Sequence, residues 1–299
     1  MNPVIEARHI VKRFRRNLVL DGLSLAVPEG AVYGLVGPNG AGKTTTLKIL
    51  MNIHQANAGT ATVLGTDSRK LGPTQFQKIG YVSENQQLPQ WMTVGYFLNY
   101  LKPFYPTWDD ALAATLIEQF HLPLDRKLRD LSRGMWMKAS LTSSLAYRPQ
   151  LLVLDEPFSG LDPLARDEFI GGMLERAEGV TILISSHDLA EIESFSSHIG
   201  YLDSGRMQFS EDMQSLSDRF REIEITLEAP PQLPRNWPSQ WLSPETGAAV
   251  IRFVDSQYDE HRTPEVIRQL FPHLRNVTAR PMPLRSIFVT LAKTTGQAA

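Results

Sequence analysis

The sequence predicts an α/β fold: a buried sheet with an antiparallel β edge and a helical insertion, followed by a small C-terminal α+β domain. Three observations carry this. Two apolar runs, 151–154 and 180–184, end in polar residues, as strands covered on both faces do. A third strand-length run, 31–36, leads through a glycine-rich turn into 45–51, which can begin a helix. Helix formers fill residues 88–148 in between. At 299 residues and 42% apolar content, the chain can fill one large core and one small one.

Taken in order, Val4-Ile5-Glu6-Ala7-Arg8 alternates as a strand, Asp21-Gly22 signals a turn, and 23–27 alternates again, which predicts the antiparallel edge. Lys12-Arg13-Phe14-Arg15-Arg16 reads as a solvated hairpin in preference to an aid to anion binding. Phe14 is open between stacking on a purine ring and packing in the core.

Gly37-Pro38-Asn39-Gly40-Ala41-Gly42-Lys43-Thr44-Thr45 fits the spacing of a phosphate-binding P-loop, between a strand and a helix as that motif requires. Glycines let the backbone curl so that successive N–H groups point at an anion, and the helix start adds its positive dipole end. Lys43 would reach the β- and γ-phosphates of a nucleotide and the Thr44 hydroxyl would ligate Mg²⁺. Beyond a small strand at 59–65, Ile79-Gly80-Tyr81-Val82-Ser83-Glu84 ends in a carboxylate; Glu84 either faces the nucleotide from the strand end or is a surface-loop acid.

In the insertion, Thr107-Trp108-Asp109-Asp110 predicts a capped helix start, with Leu112, Leu116 and Phe120 as its core stripe. Leu131-Ser132-Arg133-Gly134-Met135 opens a second helix, for which local chemistry makes Ser132 an N-cap. The run 151–154 then delivers Asp155 and Glu156 to a strand end, Asp155 to hold Mg²⁺ and Glu156 to deprotonate an attacking water. His187 follows the third such strand and is read as a γ-phosphate contact, with 188–191 capping a helix behind it. Residues 199–206 close this first domain, 1–214, as a strand and turn. In the second, 215–299, Ile223, Ile225 and Leu227 alternate as a strand, and Pro230, Pro231, Pro234 and Pro238 read as a stiff linker. A strand at 248–254, a helix from Thr263-Pro264-Glu265, a strand at 277–280 and a last helix bearing Ile287, Phe288 and Leu291 complete an accessory domain without a catalytic constellation.

Composition removes whole classes of function. Without cysteine there are no disulfides, thiolate nucleophiles or cysteine metal sites. A net charge of −2 gives no electrostatic case for nucleic acid. The first residues lack a charged segment followed by an apolar one, and no window approaches the roughly 18 uninterrupted apolar residues of a span, so a membrane role is expected to run through a partner. A guanine-reading Asn-Lys-x-Asp motif is also missing.

Over residues 4–212 these motifs, in this order, resemble the ATP-binding cassette family, the nucleotide-binding subunits of ABC transporters. The resemblance implies a P-loop NTPase cassette that hydrolyses ATP with Mg²⁺. It sets Phe14 where an aromatic stacks on adenine, Ser159-Gly160-Leu161-Asp162 as the D-loop with Asp162 at the nucleotide, and His187 as the switch histidine. It implies a head-to-tail dimer with a second, identical or different cassette, each ATP lying between one P-loop and the other chain's Ser132 and Gly134. It further implies an integral membrane permease partner and a place on the cytoplasmic face of the membrane. Two motifs depart from the pattern: Arg133 and Met135 stand in the signature where glycine and glutamine are usual, and Glu84 replaces the glutamine that ligates Mg²⁺. These variants, the short insertion and the C-terminal appendix look like the ABC-2 exporter type. The rival expectation is a soluble ATPase of the family acting on a ribosome or nucleic-acid complex, which would usually carry two cassettes in one chain.

Overall fold

The computed structural model describes residues 3–176, 179–229, 233–234 and 236–296. They fall into two compact units, Met1–Ser210 and Glu211–Ala299.

In the first unit, β1 (Ile5–Phe14) and β2 (Asn17–Val27) form an antiparallel hairpin that turns at Arg15-Arg16, where the basic run is exposed. The expected turn at Asp21-Gly22 is not one. Ile10 faces Leu23 and Val11 faces Asp21, so Gly22, at φ 72°, is an extra residue bulging from a continuous strand. Then come β3 (Val32–Val36), α1 (Lys43–Leu50), β4 (Ala58–Val63), β5 (Thr66–Asp67), α2 (Pro73–Phe76) and β6 (Ile79–Ser83). The helical segment supplies α3 (Val94–Leu101), α4 (Asp110–Gln119) and α5 (Arg133–Leu145), and β7 (Leu151–Asp155), α6 (Pro163–Arg176), β8 (Thr181–Ser186), β9 (His198–Asp203) and β10 (Arg206–Asp212) follow.

The antiparallel sheet runs β2-β1-β4-β5 and the larger sheet β10-β9-β3-β8-β7-β6. Neighbours from β9 to β6 are parallel. Every residue of β7 and β8 is buried, which explains their unbroken apolar runs. Leu47 and Leu50 of α1 share one apolar cluster with Leu20 and Leu23 of β2 and Val153 and Leu183 of the parallel sheet. The loop preceding α1 is thereby anchored from both sheets.

Two helix starts differ from expectation. Asp109, not Thr107, caps α4, accepting the Leu112 N–H at 2.9 Å. Thr107 sits in the turn before it and donates its hydroxyl to the Tyr147 carbonyl at 2.6 Å. Behind His187, Asp188 caps only a single 3₁₀ turn, Leu189–Glu191.

The second unit contains α7 (Met213–Arg219), β11 (Arg221–Leu227), β12 (Trp241–Thr246), β13 (Val250–Asp255), α8 (Arg262–Leu270), β14 (Leu274–Pro281) and α9 (Leu284–Gly296). Its antiparallel sheet, β12-β13-β11-β14, buries Ile223, Ile225, Trp241, Phe253 and Ile267. Pro234 and Pro238 lie in the connection between β11 and β12, so the proline stretch joins strands of one sheet; Pro230 and Pro231 lie outside the described residues. β12 itself was hidden from sequence reading by Pro244, which an edge strand tolerates.

Candidate active site

The register of the parallel sheet sets the site. Asp155, last in β7, is paired with Ser83 of β6 on one side and Ser185 of β8 on the other. Its carboxylate is buried and accepts hydroxyls from Thr44 at 2.9 Å, Ser185 at 2.9 Å and Ser83 at 3.3 Å. A buried carboxylate needs such partners. Ser83 and Ser185 had no role in the sequence reading; the only signal was a polar residue where a buried strand ends.

At two positions of the loop 37–42, Gly37 and Gly42, the backbone approaches its neighbours too closely for a side chain. At Gly37 a Cβ would lie 2.0 Å from the Leu202 carbonyl oxygen. Gly42 caps α1 at φ 110°, with no side chain over the helix's first turn, and a Cβ there would meet Leu20 at 2.6 Å. The first-turn N–H groups of α1 thus open on the cleft. The cleft, of about 580 Å³, is lined by Asn17, Val19, Asn39, Gly40, Gly42, Lys43, Thr44, Thr45, Glu84, Glu156, Ser159 and His187.

Three side chains converge there. Lys43 is buried, its Nζ donating to the Gly37 carbonyl at 2.7 Å and pairing with Glu156 at 3.1 Å. The other Glu156 oxygen meets His187 Nδ1 at 2.8 Å. Glu156 is turned toward both by a left-handed backbone, φ 51°, and its N–H donates to Ser185 Oγ at 3.0 Å. The hydrogen bond to Glu156, and then its negative charge, raise the His187 pKa above 6.5.

Other predicted residues stand apart. Pro38 and Ala41 shape the loop, the Pro38 carbonyl accepting the Ala41 N–H at 3.1 Å, but do not line the cleft. Phe14 lies outside the lining, half exposed, edge-on to His54 at 5.3 Å with Lys12 Nζ 4.7 Å from its ring centre. Ser132 caps α5, accepting the Met135 N–H at 3.3 Å, and neither it nor Gly134 lines the cleft. Asp162 accepts the Ala165 N–H at 2.9 Å at the start of α6. Glu84 does line the cleft but is ion-paired with Arg133.

The donor set fits a hard cation. Thr44 and Asp155 present adjacent oxygens and Glu84 lines the same cleft, and Mg²⁺ uses one or two carboxylates with substrate phosphates and water. No cluster of three or more acidic or imidazole side chains able to hold a metal occurs among the described residues, so the protein alone does not build a complete cage.

A family model described as ABC transporter matches residues 20–159. The Nod factor export ATP-binding protein I of Burkholderia orbicola is 37% identical over 210 residues, 68% of this chain and 68% of that protein. The chain belongs to the ATP-binding subunits of ABC transporters. It is an ATPase whose hydrolysis of ATP is coupled to transport. The resemblance extends past the cassette in the ABC transporter ATP-binding protein YtrB of Bacillus subtilis, 28% identical over 288 residues, 96% of this chain and 97% of that one. A solved ATP-binding subunit of an ABC transporter superimposes with a TM-score of 0.65 at 26% identity, over 72% of this chain and 92% of the other. These ABC relatives do not favour a ribosomal or nucleic-acid role.

Proposed function

We propose that this ABC subunit powers an ABC-2 type exporter, working as one half of a composite ATP site. The carrying observation is the division of the site. Lys43, Thr44, Glu156 and His187 line one cleft, with the buried Asp155 hydrogen-bonded to Thr44, whereas Ser132 and Gly134 of the same chain lie outside that lining and touch none of these residues by a hydrogen bond or ion pair among the described residues. A second cassette, identical or different, supplies those two groups to the γ-phosphate, and Asp162 belongs to the same junction. Asn39, Gly40, Gly42 and Thr45 cradle the phosphates, and Phe14 turns from His54 to stack on adenine.

Thr44, Asp155 and Glu84 would hold Mg²⁺, which would neutralise phosphate charge. Glu156 takes the proton of the attacking water. Lys43 and His187 leave their contacts with Glu156 for the γ-phosphate oxygens, where positive charge lowers the barrier. Dimer closure is passed to an integral membrane permease on the cytoplasmic face; no helix among the described residues is long and apolar enough to cross a membrane itself.

The surface between Glu84 and the insertion fits that contact. Of Leu88, Trp91, Met92 and Tyr96, Met92 is buried, Leu88 half-buried, and Trp91 and Tyr96 exposed. Leu88 lines an adjoining groove of about 330 Å³ in which the buried Gln86 Oε1 has no hydrogen-bond partner among the described residues. An apolar peptide segment carrying one donor would satisfy it. Export is supported by the Nod factor exporter among the relatives. The C-terminal unit serves contact or regulation.

The test is purification of the chain from native membranes in mild detergent. Co-elution with an integral membrane subunit and a second cassette is expected, and recovery alone or with ribosomes would reject the reading.

A further inference from the structure

Two of the three residues that depart from the family's pattern, Arg133 and Glu84, meet in space. Arg133, first residue of α5, forms an ion pair through Nη2 with Glu84 Oε1 and donates from the same nitrogen to Ser159 Oγ at 3.2 Å. Its guanidinium lies against Gly160, where a Cβ would stand 2.6 Å from Nη1 and 3.2 Å from Cδ. A side chain at 160 would displace it. One guanidinium therefore ties together the segment after β6, the segment after β7 and the start of α5.

Glu84 is the shared element. It lines the cleft with Thr44, and its N–H donates to the Asp155 backbone carbonyl at 3.2 Å, which ties its backbone to the strand end that carries Asp155. A guanidinium and a divalent cation repel each other, and both use carboxylate oxygen. We propose that Arg133 is a positioning residue, a latch that holds Glu84 in the nucleotide-free subunit and competes with Mg²⁺ for it. Loading of the cleft then releases the start of α5, with Ser132 and Gly134, from Ser159 and Gly160. The inference rests on the reading of Glu84 as a Mg²⁺ ligand. It explains why both substitutions occur together: a neutral glutamine at 84 would hold Arg133 weakly, and a glycine at 133 would leave Glu84 free.

The test is the Mg²⁺ concentration that half-saturates binding of trinitrophenyl-ATP to the full chain. Arg133→Ala is expected to lower it about two- to fivefold, the scale of a partly exposed ion pair, and Arg133→Lys to stay close to wild type. The gain should shrink as salt is raised, because both side chains are partly exposed. Glu84→Gln is expected to raise the requirement, and in that background Arg133→Ala should change nothing. A helix-end role for Arg133 would not depend on the residue at 84. If Arg133→Ala leaves the Mg²⁺ requirement unshifted while Glu84→Gln raises it, the latch is wrong and the ligand reading stands. If Glu84→Gln has no effect in the Arg133→Ala background, the ligand reading fails and the latch with it.

Discussion

Asp155 shows how much chemistry a single register decides. Its two neighbours across the parallel sheet are serines, and their hydroxyls with that of Thr44 hold a buried carboxylate ready as an oxygen ligand. The next residue is forced the other way. Glu156 accepts a left-handed backbone, a conformation costing about 1–3 kcal/mol outside glycine, and so points at Lys43 and His187. Its partnership with His187 gives a pH signature. The His187 pKa is raised above 6.5, so its contribution to stability is fully present below about pH 6.5 and is lost as pH rises through the folded value. Denaturant unfolding of the nucleotide-free chain should therefore show stability falling across that window, with His187→Gln lacking this part of the slope. Parallel pH profiles for the two proteins would remove the Glu156–His187 contact from the account.

At the scale of elements, α6 carries two adjacent glycines that packing separates. Gly172 faces Phe120, the residue closing α4, so closely that a Cβ would lie 2.3 Å from the ring; beside Gly171 there is nothing within 4 Å. Gly172→Ala should cost about 1–3 kcal/mol by overpacking, and Gly171→Ala should stabilise by about 0.5–1 kcal/mol through helix propensity. Urea unfolding of the two variants checks this, and equal shifts would mean that α6 does not pack on Phe120 in this way. The same contrast explains what the sequence could disclose. The buried strands β7 and β8 and the P-loop were legible because each is a local pattern. Gly22 misled because a bulge and a turn use the same residue, and local alternation does not report which strand lies opposite. Pro244 hid β12 because only the sheet order reveals that this strand is an edge. Within the site, Lys43 could be read from the P-loop spacing and Asp155, Glu156 and His187 from strand ends, whereas the Arg133–Glu84 pair joins residues 49 positions apart and needed the fold.

At the scale of the whole molecule, the proposed ATP site belongs to a pair of chains, and that division can be tested by mixing. In Lys43→Ala the chain loses the P-loop cation but keeps its signature; in Ser132→Arg it loses the signature hydroxyl but keeps its P-loop. Homodimers of either variant contain two broken sites. A hybrid contains one site in which the intact P-loop of the Ser132→Arg chain faces the intact signature of the Lys43→Ala chain, and a second in which both halves are broken. With random pairing about half the dimers are hybrids, so about a quarter of wild-type sites are restored. Each variant alone should be inactive in ATP hydrolysis, and an equimolar mixture left to exchange should recover activity toward that fraction. Recovery must also depend on protein concentration, because pairing is bimolecular. A mixture that stays as inactive as its components after exchange, as shown by tagged subunits co-purifying, would place all catalytic groups within one chain and overturn the composite site.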